Sequence, residues 1–130
     1  MKTPEKLSVL LIDDDELQLS TMKKILNELG IGQVYTARDG EEVFQFLEDM
    51  DKIDDMDSRV DVVLCDWDMP NMDGLELLKC VRYKYPDLYF VMITAHRDIR
   101  FVQNAVSFDV DAFLCKPFTP QQLQDKIWAR

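Results

Sequence analysis

The hydrophobic positions of this chain gather into short, nearly unbroken runs, and most of them stop abruptly on a polar residue. Residues 7–12 read Leu-Ser-Val-Leu-Leu-Ile and end at Asp13-Asp14-Asp15-Glu16. Residues 62–65, Val-Val-Leu-Cys, end at Asp66, and residues 88–93 end at Thr94-Ala95. Residues 112–115, Ala-Phe-Leu-Cys, end at Lys116-Pro117, and residues 33–37 form a further short run. Runs this short and this continuous predict strands buried on both faces, as in parallel sheets.

Between the runs the apolar residues recur at helical spacing. Met22, Ile25, Leu26 and Leu29 predict a first helix, closed by Gly30. Asp39 is placed to cap a second, carrying Val43, Phe44 and Leu47 inward. Residues 48–59 are polar and acidic and read as the end of that helix plus an exposed loop, long for such a connection. Pro70 forbids the third strand to continue, Asn71-Met72-Asp73-Gly74 makes a loop, and a helix over 75–83 offers Leu75, Leu78, Cys80 and Val81 as its apolar face. Asp98 can cap a helix running to about residue 107. Thr119-Pro120-Gln121-Gln122 is a helix start with Thr as cap, Pro at the first position and Gln at the third, and Leu123 and Ile127 follow inward.

A strand followed by a helix, five times over, predicts an α/β chain. The expected fold is a doubly wound five-stranded parallel sheet of flavodoxin-like order 2-1-3-4-5, with helices on both faces. In that order strands one, three, four and five are neighbours. Their carboxyl ends form one rim, which is where such sheets place ligand chemistry.

Composition narrows the partners. The 130 residues suit one domain with one core. Asp plus Glu number 25 against 15 Lys plus Arg, a formal net charge of -10, which repels phosphodiester backbones and attracts cations. Direct nucleic-acid binding by this domain is therefore not expected. The three cysteines fit no zinc spacing, and Cys65 and Cys115, inside apolar runs, read as small core residues. Free thiols of this kind point to a reducing compartment, the cytoplasm. No apolar run approaches a membrane span, and the start of the chain lacks the apolar region of a signal peptide.

The residues at the predicted rim carry the chemistry. They are Asp13, Asp14 and Asp15 after strand one, Asp66 and then Asp68 after strand three, Thr94 at strand four and Lys116 after strand five. No Ser or Cys stands there with a histidine base; His96, the single histidine, reads as a solvated loop residue. Carboxylates crowded together repel and need a cation. All-oxygen ligation suits Mg²⁺. A hard divalent ion, an ammonium and a hydroxyl around one carboxylate make a place for phosphoryl oxygens, with Asp66 as a nucleophile forming an aspartyl phosphate. A structural salt-bridge cluster would explain the charges but not their shared edge.

Four pieces in this order, Leu-Leu-Ile-Asp-Asp-Asp (10–15), Leu-Cys-Asp-Trp-Asp-Met-Pro-Asn-Met-Asp-Gly (64–74), Ile-Thr-Ala (93–95) and Leu-Cys-Lys-Pro-Phe (114–118), carry a family resemblance. The chain resembles the response-regulator receiver domains of two-component signalling, and is most similar to the stand-alone chemotaxis type. The resemblance runs from residue 9 to the final helix, so residues 1–130 are expected to be a single receiver domain. It implies a phosphorylation-controlled switch that promotes only its own phosphorylation and dephosphorylation and is not otherwise an enzyme. Asp66 matches the phosphoacceptor. Asp13 and Asp14 match the acidic pair that holds Mg²⁺, Asp14 directly and Asp13 largely through water, and Asp68 would add its backbone carbonyl. Lys116 would pair with the phosphoryl group, Thr94 would hydrogen-bond it, and Phe113 occupies the aromatic switch position. Asp15 is expected to cap the first helix.

The implied partners are a histidine kinase or phosphotransfer protein upstream and a downstream protein or attached effector domain. The face of the fourth helix, fifth strand and fifth helix, roughly residues 97–107 and 112–128, would be the docking surface, also for a homodimer, with Trp128 a candidate anchor. Packing of Trp128 against its own sheet is an equal alternative.

Four departures stand out. The loop before strand three is acidic and a few residues long for the family. Asp109-Val110 replaces the usual Gly-Ala before the fifth strand; if that position has positive φ, Asp is among the few residues that tolerate it. Phe113 has no hydroxyl where the family often has Tyr. The last helix is short and ends without a polar tail, which suits a chain cut from a longer protein. A rival resemblance is the Asp-x-Asp of haloacid-dehalogenase-type phosphatases in Asp66-Trp67-Asp68, but that family places it after the first strand, not the third. A pseudo-receiver would lack an acceptor, lysine or metal ligand, and none is missing here.

Overall fold

The computed structural model describes residues 2–53, 59–69, 73–95 and 109–130. Five parallel strands form one sheet: β1 (Ser8–Ile12), β2 (Gln33–Ala37), β3 (Val62–Asp66), β4 (Tyr89–Thr94) and β5 (Ala112–Cys115), in the order β2-β1-β3-β4-β5. Four helices are described: α1 (Glu16–Glu28), α2 (Gly40–Asp51), α3 (Gly74–Lys84) and α4 (Pro120–Trp128). The helix expected over 98–107, with His96 just before it, lies outside the described residues. A single 3-10 turn, Pro4–Lys6, precedes β1 and was not foreseen.

Alternate residues of each strand point to opposite faces, and each face buries its own core. On one face Leu10, Ile12, Val63, Cys65, Phe90 and Met92 pack with Val43 and Leu47 of α2 and with Leu77, Leu78 and Val81 of α3. On the other, Val9, Leu11, Val62, Leu64, Val91, Ile93 and Leu114 pack with Leu19 and Leu26 of α1 and with Leu123 and Ile127 of α4. Each fully buried Leu or Ile contributes about 2 kcal/mol of transfer free energy.

The helix starts are capped as the sequence predicts. Asp15 accepts from the N–H groups of Leu17 and Gln18, Asp39 from that of Glu42, and Thr119 forms a full capping box with Gln122. Asp73 does the same for α3, accepting from Leu75 N–H at 2.7 Å. Each such cap is worth about 1 kcal/mol. Gly30 closes the end of α1 at a φ of 85°, and Asp109 has a φ of 61°, the left-handed conformation for which Asp can stand in place of Gly.

Two expectations about the core need correction. Cys115 is exposed, because β5 is an edge strand of the sheet and of its residues only Leu114 is buried, with Phe113 half-buried; Cys65, on a central strand, is fully buried. Cys80 is also exposed, and α3 buries Leu77 with Leu78 and Val81 instead. Residues 77, 78 and 81 share one face at helical spacing, whereas residue 80 stands off it. Trp128 is half-buried against the α1 and α4 core.

α3 sits unusually close to the sheet at its first residue. Gly74 N–H donates to the Trp67 carbonyl at 2.8 Å. A Cβ at position 74 would lie 2.8 Å from Trp67 Cα and 2.9 Å from the Asp66 carbonyl oxygen, nearer than such atoms can come. Only glycine fits there.

Candidate functional site

Register places the acidic residues level with one another. Ile12 pairs with Cys65, so Asp13 and Asp66, each the next residue, leave the sheet side by side. Asp66 pairs with Ile93 and Thr94 with Cys115, which brings Thr94 and then Lys116 to the same rim. Asp13, Asp66 and Thr94 are buried, Asp14 is half-buried and Asp68 is exposed. Asp13, Asp14 and Asp66 each offer a carboxylate oxygen, and these oxygens lie within 4.8 Å of one another.

Two of those carboxyls titrate abnormally. Burial, reinforced by the charge of Asp66, raises Asp13 to about 6, although the Asp15 N–H donates to it at 3.0 Å. Burial also raises Asp66, against the pull of Lys116 and of the Asp68 N–H. The Lys116 ammonium lies 3.3 Å from Asp66 Oδ1, and the Lys116 N–H donates to the Thr94 carbonyl at 2.8 Å. The lysine is thus anchored at its backbone to β4 and reaches back across the rim to Asp66. A cluster of oxygen donors whose burial and mutual repulsion oppose ionisation suits a hard divalent cation such as Mg²⁺, which would offset both.

Phe113, one residue before buried Leu114 on β5, is half-buried and stacks on Trp67, with ring centroids 6.2 Å apart and planes 22° from parallel. Trp67 directly follows Asp66 and is 2% exposed. The residue after Asp66 therefore stacks on the aromatic ring at the expected switch position. Cys65, immediately before Asp66, is no nucleophile: burial and then the charges of Asp66, Asp13 and Asp73 push its thiol up.

Sequence reasoning missed two groups. Gln18 on α1 accepts from Lys116 Nζ at 2.9 Å. Arg38, at the end of β2, donates to the Asp14 carbonyl at 3.4 Å and lies 3.7 Å from Glu16. Gln18 lies in the first turn of α1, near the rim, but its partner Lys116 is a tertiary fact that the sequence does not indicate. Beside the site lies an open, mostly apolar cavity of about 410 Å³, lined by residues of α1, of the strand ends and of the segment after β5, with Asp13, Asp66 and Lys116 among them. No described helix is long and apolar enough to cross a membrane.

Comparisons with known proteins agree on what this arrangement resembles. Residues 9–128 match the family model of the response regulator receiver domain. A chemotaxis protein CheY homolog of Campylobacter jejuni is 36% identical over 123 residues, covering 93% of this chain and 89% of that protein. Chemotaxis protein CheY1 of Helicobacter pylori is 32% identical over 93% of this chain and 94% of its own length. Among solved structures, chemotaxis protein CheY4 of Vibrio cholerae superposes with a TM-score of 0.82 at 27% identity, covering 95% of this chain and 97% of that one.

Proposed function

The chain belongs to the response regulator receiver domain family, of the chemotaxis type, and on that footing we propose that Asp66 is its phosphoacceptor. A receiver domain is a phosphorylation-regulated switch of two-component signalling rather than a classical enzyme, and this chain is one. The observation that carries the acceptor assignment is the placement of Asp66, buried at the rim, with Lys116 at 3.3 Å on one side and the oxygens of Asp13 and Asp14 on the other.

The roles follow from chemistry. A histidine kinase or phosphotransfer protein presents phosphohistidine, and an Asp66 carboxylate oxygen attacks phosphorus. The new O–P bond forms as the N–P bond breaks, and the electron pair stays on the imidazole nitrogen. Asp13, Asp14, Asp66 and the Asp68 carbonyl would hold Mg²⁺. When bound, the ion supplies positive charge to the phosphoryl oxygens. Lys116 supplies the second positive charge, and Thr94 offers a hydroxyl from the end of β4. Phe113, stacked against the neighbour of the acceptor, is the ring whose reorientation carries the change outward. The output is a downstream protein or an attached effector domain, docking at the β5 and α4 side with the segment 97–107, which lies outside the described residues. The same face would serve a homodimer. Residues 1–130 act as a single domain, and the cytoplasm is where such a domain meets its kinase.

Acetyl phosphate with Mg²⁺ tests the acceptor. Mass spectrometry should find one phosphoryl adduct, absent in Asp66→Asn and retained in Asp68→Asn. Full modification of Asp66→Asn would overturn the assignment.

A further inference from the structure

Lys116 is held from two sides. Its ammonium lies 2.9 Å from Gln18 Oε1 and 3.3 Å from Asp66 Oδ1, so the neutral amide is the nearer partner. The hydrogen bond to Gln18 joins residues 98 apart in the chain. Both residues line the cavity beside the site, Gln18 from α1 and Lys116 from the segment after β5. A lysine ammonium is a point charge on a flexible four-carbon stem, with three donors and no fixed direction. An acceptor opposite it decides where it rests. A carboxylate at position 18 would compete with Asp66 for the charge, and an apolar side chain would remove one of the ammonium's acceptors. A neutral amide steers without competing. The contact is exposed, so its worth to folding is small.

We propose that Gln18 is a positioning residue for phosphoryl transfer, its side-chain amide holding the Lys116 ammonium beside Asp66 before the phosphoryl oxygens arrive. The proposal rests on the reading of Lys116 as the phosphoryl partner. Gln18 acts through Lys116 and exchanges no proton. The bond made is still Asp66 oxygen to phosphorus, the bond broken is the donor's to phosphorus, and the donor keeps the electron pair. What Gln18 removes is the search by a flexible side chain for the productive arrangement.

The test is a double-mutant cycle on the full chain. Phosphorylation by acetyl phosphate with Mg²⁺ is timed in the wild type, Gln18→Met, Lys116→Met and the double variant. Gln18→Met keeps the length and apolar stem and removes the acceptor. It should slow phosphorylation about 5-fold, the worth of one hydrogen bond. Mg²⁺ affinity by calorimetry and the thermal midpoint should be unchanged, while the ammonium nitrogen resonance of Lys116 should move. In the Lys116→Met background, Gln18→Met should cost nothing further. A wild-type rate in Gln18→Met, an equal loss in both backgrounds, or a rate that falls only with the thermal midpoint each overturns the proposal. A wild-type rate in Lys116→Met is a different failure: it removes the reading of Lys116, and this role of Gln18 with it.

Discussion

At the amino ends of the strands, Asp61 and Asp111 stand in settings that satisfy them. Asp61 accepts from the Ser8 N–H at 2.9 Å and lies 3.2 Å from Lys2 Nζ. Asp111 accepts from the Phe90 N–H at 2.7 Å and pairs with Arg82, whose guanidinium also donates to the carbonyls of Leu88 and Asp109. At the carboxyl ends, Asp13, Asp14 and Asp66 crowd one another around a single described ammonium, that of Lys116. The residue type is the same and so is the location at a strand end. At one edge a carboxylate replaces a missing ladder partner and holds the sheet together. At the other, carboxylates are left in mutual conflict that a cation would relieve. Stability and activity are thus assigned to opposite ends of the same strands.

Exchanging damage between the two edges is the way to break this contrast. The largest effect should come from Arg82→Met, which removes three hydrogen bonds, to Asp111 and to two carbonyls; at about 1 kcal/mol each it should lower stability by about 3 kcal/mol in denaturant titration and leave the rate of Asp66 phosphorylation intact. Lys116→Met is the mirror experiment. Phosphorylation should slow about 100-fold, equivalent to about 2.7 kcal/mol in the barrier, with stability changed by less than about 1 kcal/mol. A large stability loss in this variant would mean that the site edge is also structural.

Metal sharpens the comparison further. Mg²⁺ at ten times its dissociation constant should stabilise the protein by about 1.4 kcal/mol, read as a rise in thermal midpoint. Asp14→Ala should abolish that rise, and Asp111→Asn should keep it from a lower starting point. The smallest effect is a pH dependence. Asp13 titrates at about 6 when folded against 3.8 as the ordinary value, so between those pH values the folded state binds more protons than the unfolded one. The metal-free protein should therefore lose stability as pH rises from about 4, with the loss complete above about 6. Asp13→Asn should flatten this dependence and stabilise the metal-free protein at neutral pH by about 1 kcal/mol, after allowance for solvent screening. Denaturant titrations across pH, with a chelator present, measure it.

The sequence made the site edge legible and the opposite edge nearly invisible. An apolar run that stops on Asp66 or Lys116 marks a strand end without further help, and parallel order then collects those ends on one rim. Asp61 and Asp111 stand before their strands, where an aspartate reads as ordinary turn chemistry; that each accepts a backbone N–H from a neighbouring strand is a tertiary fact. Cys115 was placed in the core because its run is apolar, but an edge strand lacks a neighbour on one side. Cys80 was misplaced by counting apolar residues without their angle around α3. Asp109 was readable only by resemblance, since nothing in the residue itself announces a φ of 61°. Gln18 was missed because a polar residue on an exposed helical face has many partners within reach, and the sequence does not choose among them.

The close seat of Gly74 has a mechanical consequence. With its N–H on the Trp67 carbonyl and no room for a Cβ above the Asp66 carbonyl, the first turn of α3 is bolted to the end of β3 with no slack in the joint. A soft joint would absorb a shift of a few tenths of an ångström in the Asp66 backbone as local compliance. This one would pass it on to the helix, making α3 a stiff lever whose fulcrum lies one residue from Asp66.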